Sequence, residues 1–269
     1  MTYPNIDPVI LHIYGPLAIR WYGMMYVIGF TLTYFVMRYR SRVGALRMTK
    51  VQIQDFFFWG ILGVLVGGRL GYVLIYSLDY HLQNPLKIFS VWEGGMSFHG
   101  GLALTMLISA WYVRKHKVSY LELGDTAVIG GAIGLFFSRI GNFINGELYG
   151  RVTDSPLGMV FPTGGPLPRH PSQLYESVGE GLFCFLVLWF LKDRVRKGQL
   201  LFLYIFLYGA VRFSIEFFRQ PDVQMGFYLG WMTMGQILCS IMMGVGLIGL
   251  YWVTWVLKTP RVKDQLIST

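Results

Sequence analysis

Seven apolar stretches alternate with short polar connections along the 269-residue chain, near 20–37, 54–78, 96–113, 123–146, 177–191, 199–218 and 229–257. Each approaches the roughly 20 residues that an α-helix needs to cross about 30 Å of hydrocarbon. The pattern predicts an all-α, polytopic helical membrane protein with about seven transmembrane helices in a single membrane domain spanning 1–269. The longest connection, near 147–176, is rich in Gly and Pro ("PTGGPLPRHPS") and reads as an ordered loop or cap at one face of the bundle. Asn145-Gly146 marks the turn where the fourth helix ends. Gly63, Gly67 and Gly71 recur every four residues, as do Gly130 and Gly134, and such small-residue stripes let helix backbones approach closely.

Charge then orients the bundle. Fifteen of the 23 cations fall in four alternate connections: Arg38 to Lys50, Arg114 to Lys117, Lys192 to Lys197 and Lys258 to Lys263. The other connections hold five, Arg20, Lys87, Arg151, Arg169 and Arg219, while Arg69, Arg139 and Arg212 lie inside spans. The positive-inside rule places the N-terminus outside and the C-terminus in the cytoplasm. The first basic residue is Arg20, so the chain start lacks the pattern of a removable signal peptide.

Composition agrees with the pattern: 54% of residues are hydrophobic, 14% are charged, and the mean hydropathy is +0.48. A soluble domain is nearer a quarter charged. The net charge of +9 is not a nucleic-acid footprint, because its cations sit in short clusters between apolar runs rather than on one soluble face. Cys184 and Cys239 lie deep in apolar runs without ligand spacing and read as packing residues, so neither a disulfide nor a metal site is expected.

With the orientation set, the polar residues of the spans gather toward the outer face. Tyr22 enters with the first span, His99 with the third, and Arg139, Asn142, Asn145, Glu147 and Arg151 leave with the fourth. Tyr208, Arg212 and Glu216 repeat every four residues, one polar stripe on an otherwise apolar helix, and Arg219 follows it. A charge at mid-bilayer costs about 2.5–3.5 kcal/mol even on insertion scales, so such groups usually serve function. Arg139 and Arg212 offer the planar bidentate donors that suit a lipid phosphate. For Arg69, structural and functional roles weigh equally. His99, before Gly100 and Gly101, is the favoured titratable partner; His170, beside Pro171, is the rival and also reads as a residue that pins the loop. No cofactor is expected: there is no phosphate-binding glycine loop, and no "GxSxG" elbow supplies a serine nucleophile, so if the chain is an enzyme its nucleophile is expected from a substrate.

The segments "HGG" at 99–101, "RIGNFINGELYGR" at 139–151, "RHPSQLYE" at 169–176 and "YGAVRFSIEFFRQPD" at 208–222, with "WYGMMY" at 21–26 and "GGRLGYVLIY" at 67–76, resemble the bacterial phosphatidylglycerol:prolipoprotein diacylglyceryl transferase family. The resemblance runs through most of the chain, in order, and its long fourth-span segment is highly specific. It implies transfer of a diacylglyceryl group from phosphatidylglycerol to the lipobox cysteine of a prolipoprotein signal peptide, with release of glycerol phosphate, at the outer face of the bacterial inner membrane. The family's catalytic and lipid-binding residues map onto Tyr22, His99, Arg139, Asn142, Glu147, Gly150, Arg212 and Glu216. Asn145, Arg151, Tyr208, Arg219 and His170 complete the candidate binding set, and Glu147 and Glu216 are expected to position arginines. Two positions depart from the family pattern: "HGGLAL" at 99–104 where it reads "HGGLIG", and Ser138 where a glycine commonly precedes the arginine. Both bear on packing more than on chemistry.

A flippase or small-solute transporter also buries charges in a bundle, but its sites tend to the midplane between internal repeats. A structural scaffold has no need of Tyr208, Arg212 and Glu216 on one stripe. Turnover of phosphatidylglycerol separates the three readings.

Overall fold

Local sequence signals set several of the helix ends. In the computed structural model, which describes residues 1–15, 17–220, 228 and 232–262, Thr49 and Gln52 form a reciprocal capping box at the start of α2 (Lys50–Tyr76). Thr233 and Gln236 do the same at α9 (Met234–Tyr251). Each box satisfies two backbone N–H groups that a helix start leaves without partners. Ser97 accepts from Gly100 N (3.2 Å) at the start of α4 (Phe98–His116). α5 (Tyr120–Ile144) stops where the Asn145-Gly146 pair predicts, with Gly146 at φ +66°.

The other α-helices are α1 (Trp21–Arg42), α3 (Leu78–Gln83), α6 (Ser172–Glu176), α7 (Cys184–Leu191) and α8 (Gln199–Ile215), and a π-helical stretch (Ser177–Phe183) joins α6 to α7. A two-stranded hairpin, β1 (Val9–Tyr14) and β2 (Leu17–Arg20), precedes α1. Helices thus occupy all seven expected stretches. Four of them are long and apolar enough to cross a membrane: Lys50–Tyr76, Tyr120–Ile144, Ser172–Leu191 and Met234–Val256. α8 is apolar but shorter, at 17 residues. In α1 and α4 the apolar runs are diluted by Tyr, Trp, Gly and His and end in Arg and Lys. One boundary is corrected: the connection expected near 147–176 ends earlier, because its last five residues, Ser172–Glu176, already form α6 after Pro171.

The chain divides into two compact units, Met1–Ile13, Ala18–Leu46 and Leu121–Thr269 in one, Tyr14–Leu17 and Arg47–Tyr120 in the other. The first has a core of Val36, Ile129, Ala132, Cys184, Leu188 and Leu200, drawn from α1, α5, α7 and α8. Cys184 and Cys239 are buried free thiols, as their apolar surroundings predict. Asp125 of α5 accepts from Gly198 N (2.6 Å) and Leu201 N (2.8 Å), so the start of α8 is capped from another helix.

The second unit is built on α2 against α4. The Gly63/Gly67/Gly71 stripe is the contact surface: a Cβ on Gly67 would stand 2.5 Å from the carbonyl oxygen of Gly100. Only the absence of side chains on both helices permits that approach. Arg69, on the same helix, is buried and donates to the backbone carbonyls of Ile88 (2.8 Å), Gly94 (2.7 Å), Gly95 (3.1 Å) and Lys87 (2.5 Å). The structural reading of this intramembrane arginine therefore prevails. It satisfies the carbonyls of a turn-rich connection that has no regular ladder of its own.

Candidate active site

The candidate site is assembled in the first unit from the ends of α5 and α8, the α6–π segment and the connection between α5 and α6. Ser177 Oγ donates to the Phe136 carbonyl (2.9 Å), and Gly181 lies directly on the Phe136 backbone, so the π segment is drawn tightly against α5. π-helical turns are rare and recur at functional sites. Here one presents Glu180, next to Glu176 at the end of α6, and both acids are fully buried.

Three arginines from separate parts of the chain meet these acids. Arg139 of α5 places Nε 2.9 Å from Glu176 Oε2 and Nη2 3.7 Å from Glu180 Oε2. Arg212 of α8 donates from Nη1 to Glu176 Oε1 at 2.6 Å, with Glu180 Oε1 at 3.5 Å, and places Nη2 3.0 Å from Glu216 Oε2. Arg219 Nη1 stands 3.8 Å from Glu176 Oε1. Three guanidiniums and three carboxylates balance formally. The i,i+4 pairing of Arg212 with Glu216 is the one the stripe of α8 predicts, and Thr233 holds the other oxygen of Glu216 at 3.1 Å. Tyr208 completes that stripe, its ring 6.0 Å from Tyr204.

A second polar group forms where α5 ends. Asn142, buried, donates to Glu147 Oε1 at 2.8 Å, and Asn145 donates to the same oxygen at 3.2 Å. Glu147 was expected to orient an arginine; the side chains it orients are these two amides. The turn at Gly146 is the reason, since it brings residue 147 back over the last turn of α5. Tyr22 of α1 shares a hydroxyl contact with Tyr26 (3.1 Å), and its ring lies against Gly141.

The connection after α5 is held by backbone pairing. Gly150 N donates to the His170 carbonyl (2.8 Å), His170 N to Arg151 (3.0 Å) and Arg151 N to Phe218 (2.9 Å). Gly150 is required there, because a Cβ would collide with the Phe218 and His170 backbones. Arg151 Nε donates to the Arg219 carbonyl at 2.8 Å, which ties the connection to the end of α8. His170 Nδ1 meets the Tyr175 hydroxyl at 3.2 Å, and the ring packs on Phe218 with centroids 5.1 Å apart. Burial pushes this imidazole below its usual pKa, because the charged form loses hydration. These contacts are those of a histidine that pins a loop.

Of the expected residues, Arg139, Arg212, Glu216 and Arg219 converge on one cluster, with Asn142, Asn145 and Glu147 in the adjoining one. His99 belongs to the second unit, in the first turn of α4, exposed, with its ring 5.7 Å from that of Phe98. Glu176 and Glu180 were not anticipated as site residues. Their signal was present: two acids four apart at the start of an apolar span invite the same functional reading as the intramembrane arginines.

The profile described as prolipoprotein diacylglyceryl transferase matches residues 8–252. The chain is 48% identical to the phosphatidylglycerol–prolipoprotein diacylglyceryl transferase of Aliivibrio fischeri, over all of this chain and 97% of the relative. It is 49% identical to the protein of that name from Francisella tularensis subsp. novicida, over 99% of this chain and 100% of the relative. Identity to the Nitratidesulfovibrio vulgaris protein is also 49%, over 92% and 94%.

Proposed function

This chain belongs to the prolipoprotein diacylglyceryl transferase family and transfers a diacylglyceryl group from phosphatidylglycerol to prolipoprotein; we propose that it does so through its buried arginine cluster. The acceptor is the lipobox cysteine thiol of the signal peptide. Its sulfur attacks the glyceryl carbon, a C–S bond forms, the C–O bond to phosphate breaks, and the electron pair leaves with glycerol phosphate. The thiol proton passes to a base. The reading places seven spans in the bacterial inner membrane, N-terminus outside, with the site toward the outer leaflet, as the fifteen-to-five division of connecting cations favours.

The observation that carries the proposal is the convergence of Arg139, Arg212 and Arg219 on the same buried carboxylates. Charge develops on phosphate oxygens as the ester leaves, and donors fixed beforehand in a site of low dielectric stabilise it without reorganising. Glu176 and Glu180 hold those guanidiniums, and a substrate phosphate competes for the same donors. Asn142 and Asn145, aligned by Glu147, suit the hydroxyls of a glycerol headgroup. His99 is the proposed proton acceptor, imidazole being the side chain that most often takes a proton in general base catalysis. The loop-pinning contacts of His170 support that choice.

The test is transfer of label from phosphatidylglycerol to a lipobox peptide by the purified, detergent-solubilised protein. Arg139→Ala is expected to lose about 10²–10³ in turnover while remaining folded, and parallel His99→Gln and His170→Gln variants identify the base. A folded Arg139→Ala protein that retains activity within a few-fold overturns the phosphate role.

A further inference from the structure

Among the described residues of the arginine cluster, Glu180 is the carboxylate with both oxygens buried and neither hydrogen-bonded. Glu176 keeps one oxygen bonded to Arg212, and Glu216 keeps one bonded to Thr233. Glu180 faces Arg139 and Arg212 only at 3.7 and 3.5 Å, although its side chain is fully enclosed. When ionised it adds a negative charge beside the two guanidiniums, while Glu176 makes the close contacts that fix their positions. A buried carboxylate without hydrogen bonds is costly and calls for an explanation.

The reaction supplies one. The phosphodiester of phosphatidylglycerol carries one negative charge, whereas the departing phosphate monoester, with a second pKa near 6, carries about −1.5 to −2 at pH 7. Arginines that stabilise this growing charge also retain the product. Coulomb repulsion scales with ligand charge, so an ionised Glu180 beside the arginines weakens product binding more than substrate binding. We propose that Glu180 is a positioning residue that sets the charge of the Arg139–Arg212 pair, so that a monoanionic lipid headgroup binds and the more highly charged glycerol phosphate is released. The proposal rests on the reading that those arginines hold the substrate phosphate.

The experiment measures two constants with the full-length protein in detergent: KM for phosphatidylglycerol and the inhibition constant of added glycerol phosphate. For Glu180→Gln, which keeps the shape and removes the charge, KM is expected to fall about 3-fold and the inhibition constant about 5- to 10-fold, following the ratio of ligand charges. Turnover falls as product leaves more slowly. Glu180→Asp, which keeps the charge, is expected to restore both constants to within about 2-fold of wild type. A merely structural role lowers the active fraction and leaves both constants unchanged, so unchanged constants in Glu180→Gln overturn the proposal.

A measurement on the wild type guards against a Glu180→Gln protein that does not fold. Glycerophosphoglycerol, the headgroup diester without acyl chains, is expected to inhibit at least as well as glycerol phosphate despite its lower charge. Tighter binding of glycerol phosphate by more than tenfold overturns the proposal. If Arg139→Ala retains transfer, the phosphate reading itself fails; if Arg139→Ala is inactive and Glu180→Gln leaves both constants unchanged, only the role of Glu180 fails.

Discussion

Gly181→Ala tests whether the π segment sets the geometry of the arginine cluster. A Cβ at Gly181 would stand 2.6 Å from both Cα and Cβ of Phe136 and 2.7 Å from its amide nitrogen. Two of these atoms are backbone, so no flexible side-chain end can yield. Ordinary contact begins at 3.4 Å, and the π segment and α5 must therefore part by about 0.8 Å. Glu180 is the preceding residue, and Arg139 lies one helical turn beyond Phe136, so the displacement falls on the Arg139 pairs with Glu176 and Glu180 and on the Ser177–Phe136 hydrogen bond. Overpacking costs about 1–3 kcal/mol, and a misplacement near 1 Å in a catalytic constellation costs up to about 10²-fold. The expected outcome is a lower melting midpoint in detergent and a 10- to 100-fold loss of kcat/KM for labelled phosphatidylglycerol. Gly131→Ala is the control: a Cβ there meets nothing within 4 Å, and alanine is the better helix former. Gly181→Ala with wild-type melting and activity within twofold would refute the reasoning.

Arg69→Leu removes the donors of four backbone carbonyls in the connection 84–95 and is expected to cost that region roughly 2–4 kcal/mol. Limited proteolysis should show faster cleavage there, while unchanged cleavage argues against the structural role. His170, whose folded pKa lies below its unfolded value, favours the neutral form in the fold. Its contribution to stability is full above about pH 6.5 and declines as pH falls through the lower folded value. Melting midpoints between pH 7.5 and pH 5 should fall less steeply in His170→Asn than in wild type, and parallel slopes contradict this.

Legibility followed the range of the interaction. Gly146 ends α5 because a positive φ is a property of one residue, and the Thr49/Gln52 and Thr233/Gln236 boxes act over three residues. The pairing of Arg212 with Glu216 follows from helical spacing, and the Gly63/Gly67/Gly71 stripe announces a close approach. All of these can be read in order along the chain. The partners of Arg139 could not be, because Glu176 lies 37 residues away on another element. The anchoring role of Arg69 was equally hidden, since its acceptors are backbone carbonyls of turns with no residue-type signature.

The sequence by itself determined the helical class, the apolar stretches, the polar stripe of α8 and the family, because spacing within a helix and the match of ordered motifs need no knowledge of neighbours. Tertiary structure decided which carboxylates meet which arginines, that Glu147 serves two amides, and that Glu180 is enclosed without a hydrogen bond. Those outcomes depend on which helix faces come together, and many distant residues set that jointly through packing.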